Sequence, residues 1–276
     1  MSVLEAIVLG IVQGITEFLP VSSSGHLVLL QKIFKISEPV LLFDTMVHAG
    51  TLTAVLAVFW QDIRDILRKI IQPLTLFLVI GTLPTVLVAL LLRRRIEEAF
   101  ASGAFLGFAF LVTAALILIS ELQNRKLAAS GGSGASEPSQ AGQNLEKMTW
   151  LDALVIGFFQ AVAIIPGISR SGATLSGGLL RKLDRNWAVR FAFLLSIPAI
   201  LGALVLELKD LGKGAGGGIG IAPLALGTIA AAAVGFFSIR LMLKIVRKSS
   251  LWGFAAYTAV LGVLVLVDRF GTHLFF

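Results

Sequence analysis

The sequence predicts an all-α polytopic membrane protein made of two inverted repeats. Each repeat is one re-entrant helical hairpin followed by three transmembrane helices, six spans in total. Three observations carry this prediction. Of 276 residues, 57% are hydrophobic and 14% charged, with a mean hydropathy of +0.92; a soluble domain carries about a quarter charged residues. Six apolar runs approach the ~20 residues that cross a bilayer as a helix. Two further apolar segments are each broken midway by proline, serine and glycine, and the two match one another in order and spacing.

The first repeat is expected over 1–129. It opens with the broken segment 3–33 and continues with spans over 43–60, 74–92 and 104–122. Charge or polar residues bound them: Trp60-Gln61-Asp62, the Arg93–Arg95 triplet and Glu121. Residues 61–71, QDIRDILRKII, place charged and apolar side chains at helical spacing and read as an amphipathic interfacial helix. A flexible linker over 130–148 follows, with the Gly/Ser-rich stretch SGGSGASEPSQAGQ. The second repeat, 149–276, opens with the broken segment 150–182 and continues with spans over 187–207, 222–242 and 251–268. GKGAGGGIG (212–220) is a second flexible loop.

The broken segments are expected to be re-entrant. In lipid every backbone polar group must be satisfied internally, so a helix break at membrane depth is tolerated only inside protein or beside a wet cavity. EAIVLGIVQG begins at Glu5 and DALVIGFFQA at Asp152. At that spacing Gly10 pairs with Gly157, Gln13 with Gln160, Ser24 with Ser171 and Gly25 with Gly172, while Pro20 and Pro166 are out of step by one. Three spans per half, an odd number, invert one half relative to the other, an architecture common among transporters.

The net charge is +7. The cations cluster between apolar runs, at Arg93–Arg95, Arg125-Lys126 and Lys244 to Lys248, as in membrane-flanking loops rather than a nucleic-acid surface. Counting loop cations by the positive-inside rule puts the loops after spans one, three and five in the cytoplasm and both termini outside. With no cysteine, disulfides and thiolate chemistry are excluded. The N-terminus lacks a basic region and cleavage site, so no removable signal is expected.

The chemistry concentrates at the two breaks. Before the first, in QGITEFLPVSSSGH, Gln13 and Glu17 are four apart and share a helix face. An ionisable group such as Glu17 inside an apolar segment is costly unless paired or functional. Ser22, Ser23, Ser24 and His26 add hydroxyls and an imidazole, a set suited to oxygen ligation of a cation and to acid/base work. In the second, PGISRSGAT, Arg170 stands among Ser169, Ser171, Gly172 and Thr174 at a helix start. Its planar fork and the hydroxyls suit phosphate oxygens, with an Arg–carboxylate staple between the halves as the alternative. His48, in the first span, is expected to make a structural hydrogen bond.

These motifs resemble those of the undecaprenyl pyrophosphate phosphatases of the bacitracin-resistance type. QGITEFLPVSSSGH is similar to the family's Glu/Gln-x-x-x-Glu and Pro-x-Ser-Ser-x-Gly-His signature, and PGISRSGAT to its second signature. FDTMVHAGTLTAV (43–55) and the repeat extend the likeness over nearly the whole chain. The resemblance implies hydrolysis of undecaprenyl diphosphate to undecaprenyl phosphate and phosphate, with a divalent cation, Mg²⁺ or Ca²⁺. It places Gln13 and Glu17 in the first motif, Ser23 and His26 in the catalytic turn, and Ser169, Arg170 and Thr174 in the phosphate-binding turn. Gln13 at the first position leaves one carboxylate there, so a metal site on this motif alone would be weak. The nucleophile stays open between Ser23, His26 and a water activated by His26.

The implied setting is a multi-pass protein of the inner (cytoplasmic) membrane that recycles the carrier lipid for peptidoglycan synthesis and confers bacitracin resistance. Expected partners are undecaprenyl diphosphate and membrane lipid, with a homodimer left open and no nucleic acid. A lipid-phosphate flippase or secondary transporter is the rival reading, alone or beside the phosphatase. An ion channel is disfavoured by the lone Arg170 and the lack of a charged ring.

Overall fold

The computed structural model describes residues 1–36, 40–92, 95, 105–130, 144–210 and 218–275. Most of the expected linker (131–143), most of the Gly-rich loop (212–217), and Arg93 and Arg94 of the basic triplet lie outside the described residues. Eleven α-helices follow one another among the described residues: α1 (Val3–Thr16), α2 (Ser23–Ile33), α3 (Leu41–Val58), α4 (Trp60–Arg68), α5 (Pro73–Leu91), α6 (Leu106–Ser130), α7 (Trp150–Val162), α8 (Arg170–Leu180), α9 (Arg185–Asp210), α10 (Ile221–Lys248) and α11 (Trp252–Val267). A short π-helical turn, Asp268–Thr272, follows α11.

Six of them, α3, α5, α6, α9, α10 and α11, are long and apolar enough to cross a membrane. They coincide with the six expected spans to within a few residues, except that α6 and α10 run several residues further at their C-termini. The architecture is that of an all-helical polytopic membrane protein. The two broken segments each form a helix, a turn and a second helix. α1 and α7 have 14 and 13 residues, too few for a 30 Å hydrocarbon core at 1.5 Å per residue.

Helix starts follow from local chemistry. Ser2 and Glu5 form a reciprocal capping box on α1, as Thr149 and Asp152 do on α7, each satisfying two otherwise free backbone donors. Ser22 caps α2 through Gly25 N and Ser169 caps α8 through Gly172 N. Lys35 and Lys182, just beyond the ends of α2 and α8, both take left-handed backbone.

Glycine sets how closely the helices approach. A Cβ on Gly10 of α1 would stand 2.2 Å from Gly227 O of α10, and one on Gly157 of α7 2.2 Å from Gly81 O of α5. The first helix of each broken segment therefore lies against a long helix distant in sequence, α1 on α10 and α7 on α5, backbone to backbone, as small residues allow in lipid. At the rim, Asp62 of α4 pairs with Arg190 of α9, Glu121 of α6 with Arg185 of α9, and Asp152 of α7 with Arg181.

Candidate functional site

Between α1 and α2 the chain turns through residues 17–22, and between α7 and α8 through 163–169; the two turns meet. Phe18 holds the first in place. It is fully buried and packs edge-on against Phe193 of α9 at 5.7 Å between ring centroids. The second turn is tied to α6, where Ser169 N donates to Thr113 Oγ1 at 3.0 Å. Gly167, at φ +89°, occupies backbone that a side chain would strain. The turns are also stitched to one another: Ser171 Oγ donates to Leu19 O at 2.9 Å, and Gly167 N donates to Ser24 Oγ at 3.3 Å.

Glu17 is the hub. Its carboxylate is buried and accepts from three side chains. Arg170 Nη2 donates to Oε1 in a short ion pair. Ser23 Oγ donates to Oε2 at 2.5 Å, and Gln13 Nε2 donates to the same oxygen at 2.9 Å. His48 of α3 faces it, with Nε2 3.9 Å from Oε2. The helical spacing that put Gln13 and Glu17 on one face is realised here, and Ser23 and Arg170 come to them from the starts of α2 and α8. A buried carboxylate is tolerable because cation and donors together compensate its lost hydration.

Both helix starts bring backbone N–H groups that have no intrahelical carbonyl to meet, and the helix dipoles favour negative charge in front of them. Ser23, Ser24, Arg170 and Ser171 are partly exposed, while Ser22, Ser169, Gly172 and Thr174 are buried. Thr174 turns its hydroxyl onto Arg170 O at 2.8 Å, supporting the backbone beneath the arginine. His26 also points elsewhere. Its Nδ1 lies 2.6 Å from Ser22 O and its Nε2 2.7 Å from the hydroxyl of Tyr257 in α11.

Sequence reasoning passed over His48 as a member of this cluster, and Tyr257 altogether. His48 makes the expected structural bond, Nδ1 to Asp44 O at 2.7 Å, and with its other nitrogen it faces Glu17. The available signal was the Asp44–His48 spacing of four in FDTMVHAG. Nothing local marks Tyr257, which comes from the far end of the chain.

The oxygen donors suit a hard cation only in part. Glu17 supplies a carboxylate, and Gln13 Oε1 is buried without a hydrogen-bond partner, as an oxygen awaiting a cation would be. Among the described residues no group of three or more His, Cys, Asp or Glu side chains could hold a metal ion. Two protein oxygens would fill only a small part of the shell of a cation such as Mg²⁺ or Ca²⁺.

The chain is 46% identical over 269 residues to an undecaprenyl-diphosphatase of Carboxydothermus hydrogenoformans, covering 97% of each chain. It is 38% identical over 270 residues to undecaprenyl-diphosphatase 3 of Bacillus cereus, covering 98% of each. To the undecaprenyl-diphosphatase of Halothermothrix orenii it is 39% identical over 269 residues, covering 97% of this chain and 98% of the relative. Residues 6–264 match the family described as bacitracin resistance protein BacA. With the match spanning both turns and the six long helices as far as residue 264, the chain belongs to the bacitracin resistance protein BacA family.

Proposed function

We propose that the chain is a multi-pass phosphohydrolase of the cytoplasmic (inner) membrane. It converts undecaprenyl diphosphate to undecaprenyl phosphate and inorganic phosphate, returns the carrier lipid to peptidoglycan synthesis and so confers bacitracin resistance. The observation that carries the reading is the meeting of Ser23 and Arg170 on the two oxygens of Glu17. One group can attack phosphorus, one can hold its oxygens, and the carboxylate between them can take a proton.

The steps follow from that geometry. The diphosphate draws Arg170 from Glu17, since a guanidinium fork matches phosphate oxygens in two places at once. The first-turn amides of α2 and α8 add neutral donors where charge builds up on the transferring phosphoryl group. Ser23 Oγ attacks the terminal phosphorus as its proton passes to Glu17, already in hydrogen-bond contact. The anhydride P–O bond breaks, and undecaprenyl phosphate leaves. Water then attacks the phosphoserine. His26, three residues on from Ser23 in α2 and bonded through Nε2 to Tyr257 at rest, accepts the water's proton at Nε2 once that hydroxyl has given way. The P–Oγ bond breaks, Ser23 recovers its proton from Glu17, phosphate departs, and His26 gives the water's proton up to solvent. When bound, a divalent cation, Mg²⁺ or Ca²⁺, neutralises charge on the anhydride, with Glu17 and Gln13 Oε1 as its protein oxygens.

The two-repeat architecture belongs to the same proposal, with halves 1–129 and 149–276 joined by the linker 130–148. Supporting it, the capping boxes, the capping serines Ser22 and Ser169, and the left-handed lysines Lys35 and Lys182 recur at one spacing. The glycine contacts of α1 and α7 repeat in the same sense. A homodimer stays within the proposal, to be read from the mass of the solubilised protein by light scattering. The carrier reading, open from the sequence, is not favoured by relatives named as diphosphatases.

Phosphate release from undecaprenyl diphosphate by detergent-purified protein tests the function. Steady release is expected, together with phosphoserine at Ser23 in the rapidly quenched protein and loss of both in Ser23→Ala. Lipid movement across vesicles without phosphate release would return the carrier reading.

A further inference from the structure

His26 is held at both ends of its ring. Ser22 O can only accept, so the nitrogen 2.6 Å from it, Nδ1, carries the hydrogen. In the neutral imidazole Nε2 then bears the lone pair, and the hydroxyl 2.7 Å away, that of Tyr257, donates to it. The two rings also stack, with centroids 5.7 Å apart and planes 10° from parallel. Phe110 closes the set edge-on at 5.5 Å. His26 itself is buried, whereas Tyr257 is 48% exposed. Its outer face walls an open cavity of about 380 Å³ that also touches Thr16 and Leu19, on either side of Glu17. Tyr257 reaches this place because α11 is docked on α6 at Gly107 and Gly262, where a Cβ on Gly262 would come within 2.8 Å of Gly107 O.

We infer that Tyr257 is a positioning residue for His26: with the tautomer set by Ser22 O, the phenol hydroxyl and ring decide where the Nε2 lone pair points. The inference rests on the assignment of His26 to the hydrolytic step. Ser22 fixes which nitrogen is the base, but a ring held only at Nδ1 is free to tilt about that bond. The hydroxyl removes this freedom by a second directional bond, and the stack limits tilting out of plane. Tyr257 yields its place to the attacking water by turning its hydroxyl into the cavity that it lines, where that water becomes its partner. Ser22 O is the outer partner of the usual kind, on the nitrogen that does not react, and Tyr257 holds the reacting nitrogen in place until the water arrives.

Tyr257→Phe isolates the hydroxyl, because ring, stack and cavity wall remain. Turnover of undecaprenyl diphosphate is expected to fall by about tenfold, the worth of one well-aligned hydrogen bond, with KM within about twofold. In a His26→Gln background the same substitution should cost nothing further, because residues that act as one unit are not additive. In protein labelled with ¹⁵N-histidine, the Nε2 resonance of His26 should shift on Tyr257→Phe while Nδ1 stays protonated. An equal tenfold cost in the His26→Gln background, or an unmoved Nε2 resonance, overturns the inference. Full turnover by His26→Gln instead overturns the assignment of His26 to hydrolysis. In that case the shifted resonance would still report the orienting bond, so the two failures are distinguishable. Thermal unfolding of each variant shows that the comparison is made on folded protein.

Discussion

Ser23 and Arg170 are each the first residue of the second helix of a hairpin, and they meet on one carboxylate, Ser23 at Glu17 Oε2 and Arg170 at Oε1. The second helices of the two broken segments thus bring different chemistry to a common point. In the proposed mechanism Ser23 supplies the nucleophile and Arg170 the hold on phosphate, and their meeting at Glu17 is what joins the two tasks.

Arg170→Ala is expected to reduce turnover by roughly 10²–10³-fold, the cost of losing one set of charge-stabilising donors. Arg170→Lys keeps the charge without the two-point geometry and should recover little. Removing the guanidinium also takes from the buried Glu17 its ion-pair partner, a loss that typically destabilises by about 3–5 kcal/mol. Glu17→Gln with Arg170→Ala should therefore unfold at a higher temperature than Arg170→Ala alone. Phosphate release and thermal unfolding on the same purified proteins make the check; normal hydrolysis by folded Arg170→Ala would remove the two-turn site.

His48→Gln should lower turnover about three- to fivefold. The imidazole, 3.9 Å from Glu17 Oε2, is a more distant neighbour of a carboxylate that already accepts from Arg170, Ser23 and Gln13. Steady-state rates decide between this and a bystander. A loss as deep as that of Arg170→Ala would instead make His48 a member of the reacting set.

Gly10→Ala and Gly157→Ala should each destabilise the protein by about 1–3 kcal/mol or more. In both, the new methyl meets a carbonyl oxygen at 2.2 Å, and only a shift of one helix relieves the clash. Gly202→Ala is the control, since nothing lies within 4 Å of its Cβ. Unfolding temperatures of the three variants in one detergent give the comparison, and equal values would show that the α1–α10 and α5–α7 contacts are loose.

Chelation with EDTA should abolish phosphate release, and added Mg²⁺ or Ca²⁺ should restore it. Gln13→Ala is expected to raise the cation concentration needed for half-maximal rate, because it removes one of two protein oxygens while phosphate and water keep the rest. Undiminished release in EDTA would take the cation out of the mechanism.

Deletion of 131–142 should leave activity and unfolding temperature nearly unchanged. The segment is rich in Gly and Ser, with a single charged residue, Glu137, and too poor in apolar residues to build a core. A large loss of phosphate release in the folded deletion would assign it a role that composition gives no sign of.

The sequence by itself determined the long helices, because the thickness of hydrocarbon dictates how many consecutive apolar residues a span needs. It also determined where the hairpins turn. Proline with serine and glycine breaks a helix, and only a site that satisfies the freed backbone tolerates such a break in lipid. Helical spacing was enough to put Gln13 beside Glu17. What the tertiary structure decided is which distant groups reach that carboxylate. Ser23 and Arg170 meet because α1 and α7 are drawn onto α10 and α5 at Gly10 and Gly157, and no local pattern encodes that approach. The two histidines were separable only in three dimensions. His26, within the signature turn, bonds to Tyr257, and His48, in an apolar span, faces Glu17. The direction of a side chain about its helix axis is set by the helices packed around it, and those are joined to it by packing, not by sequence proximity.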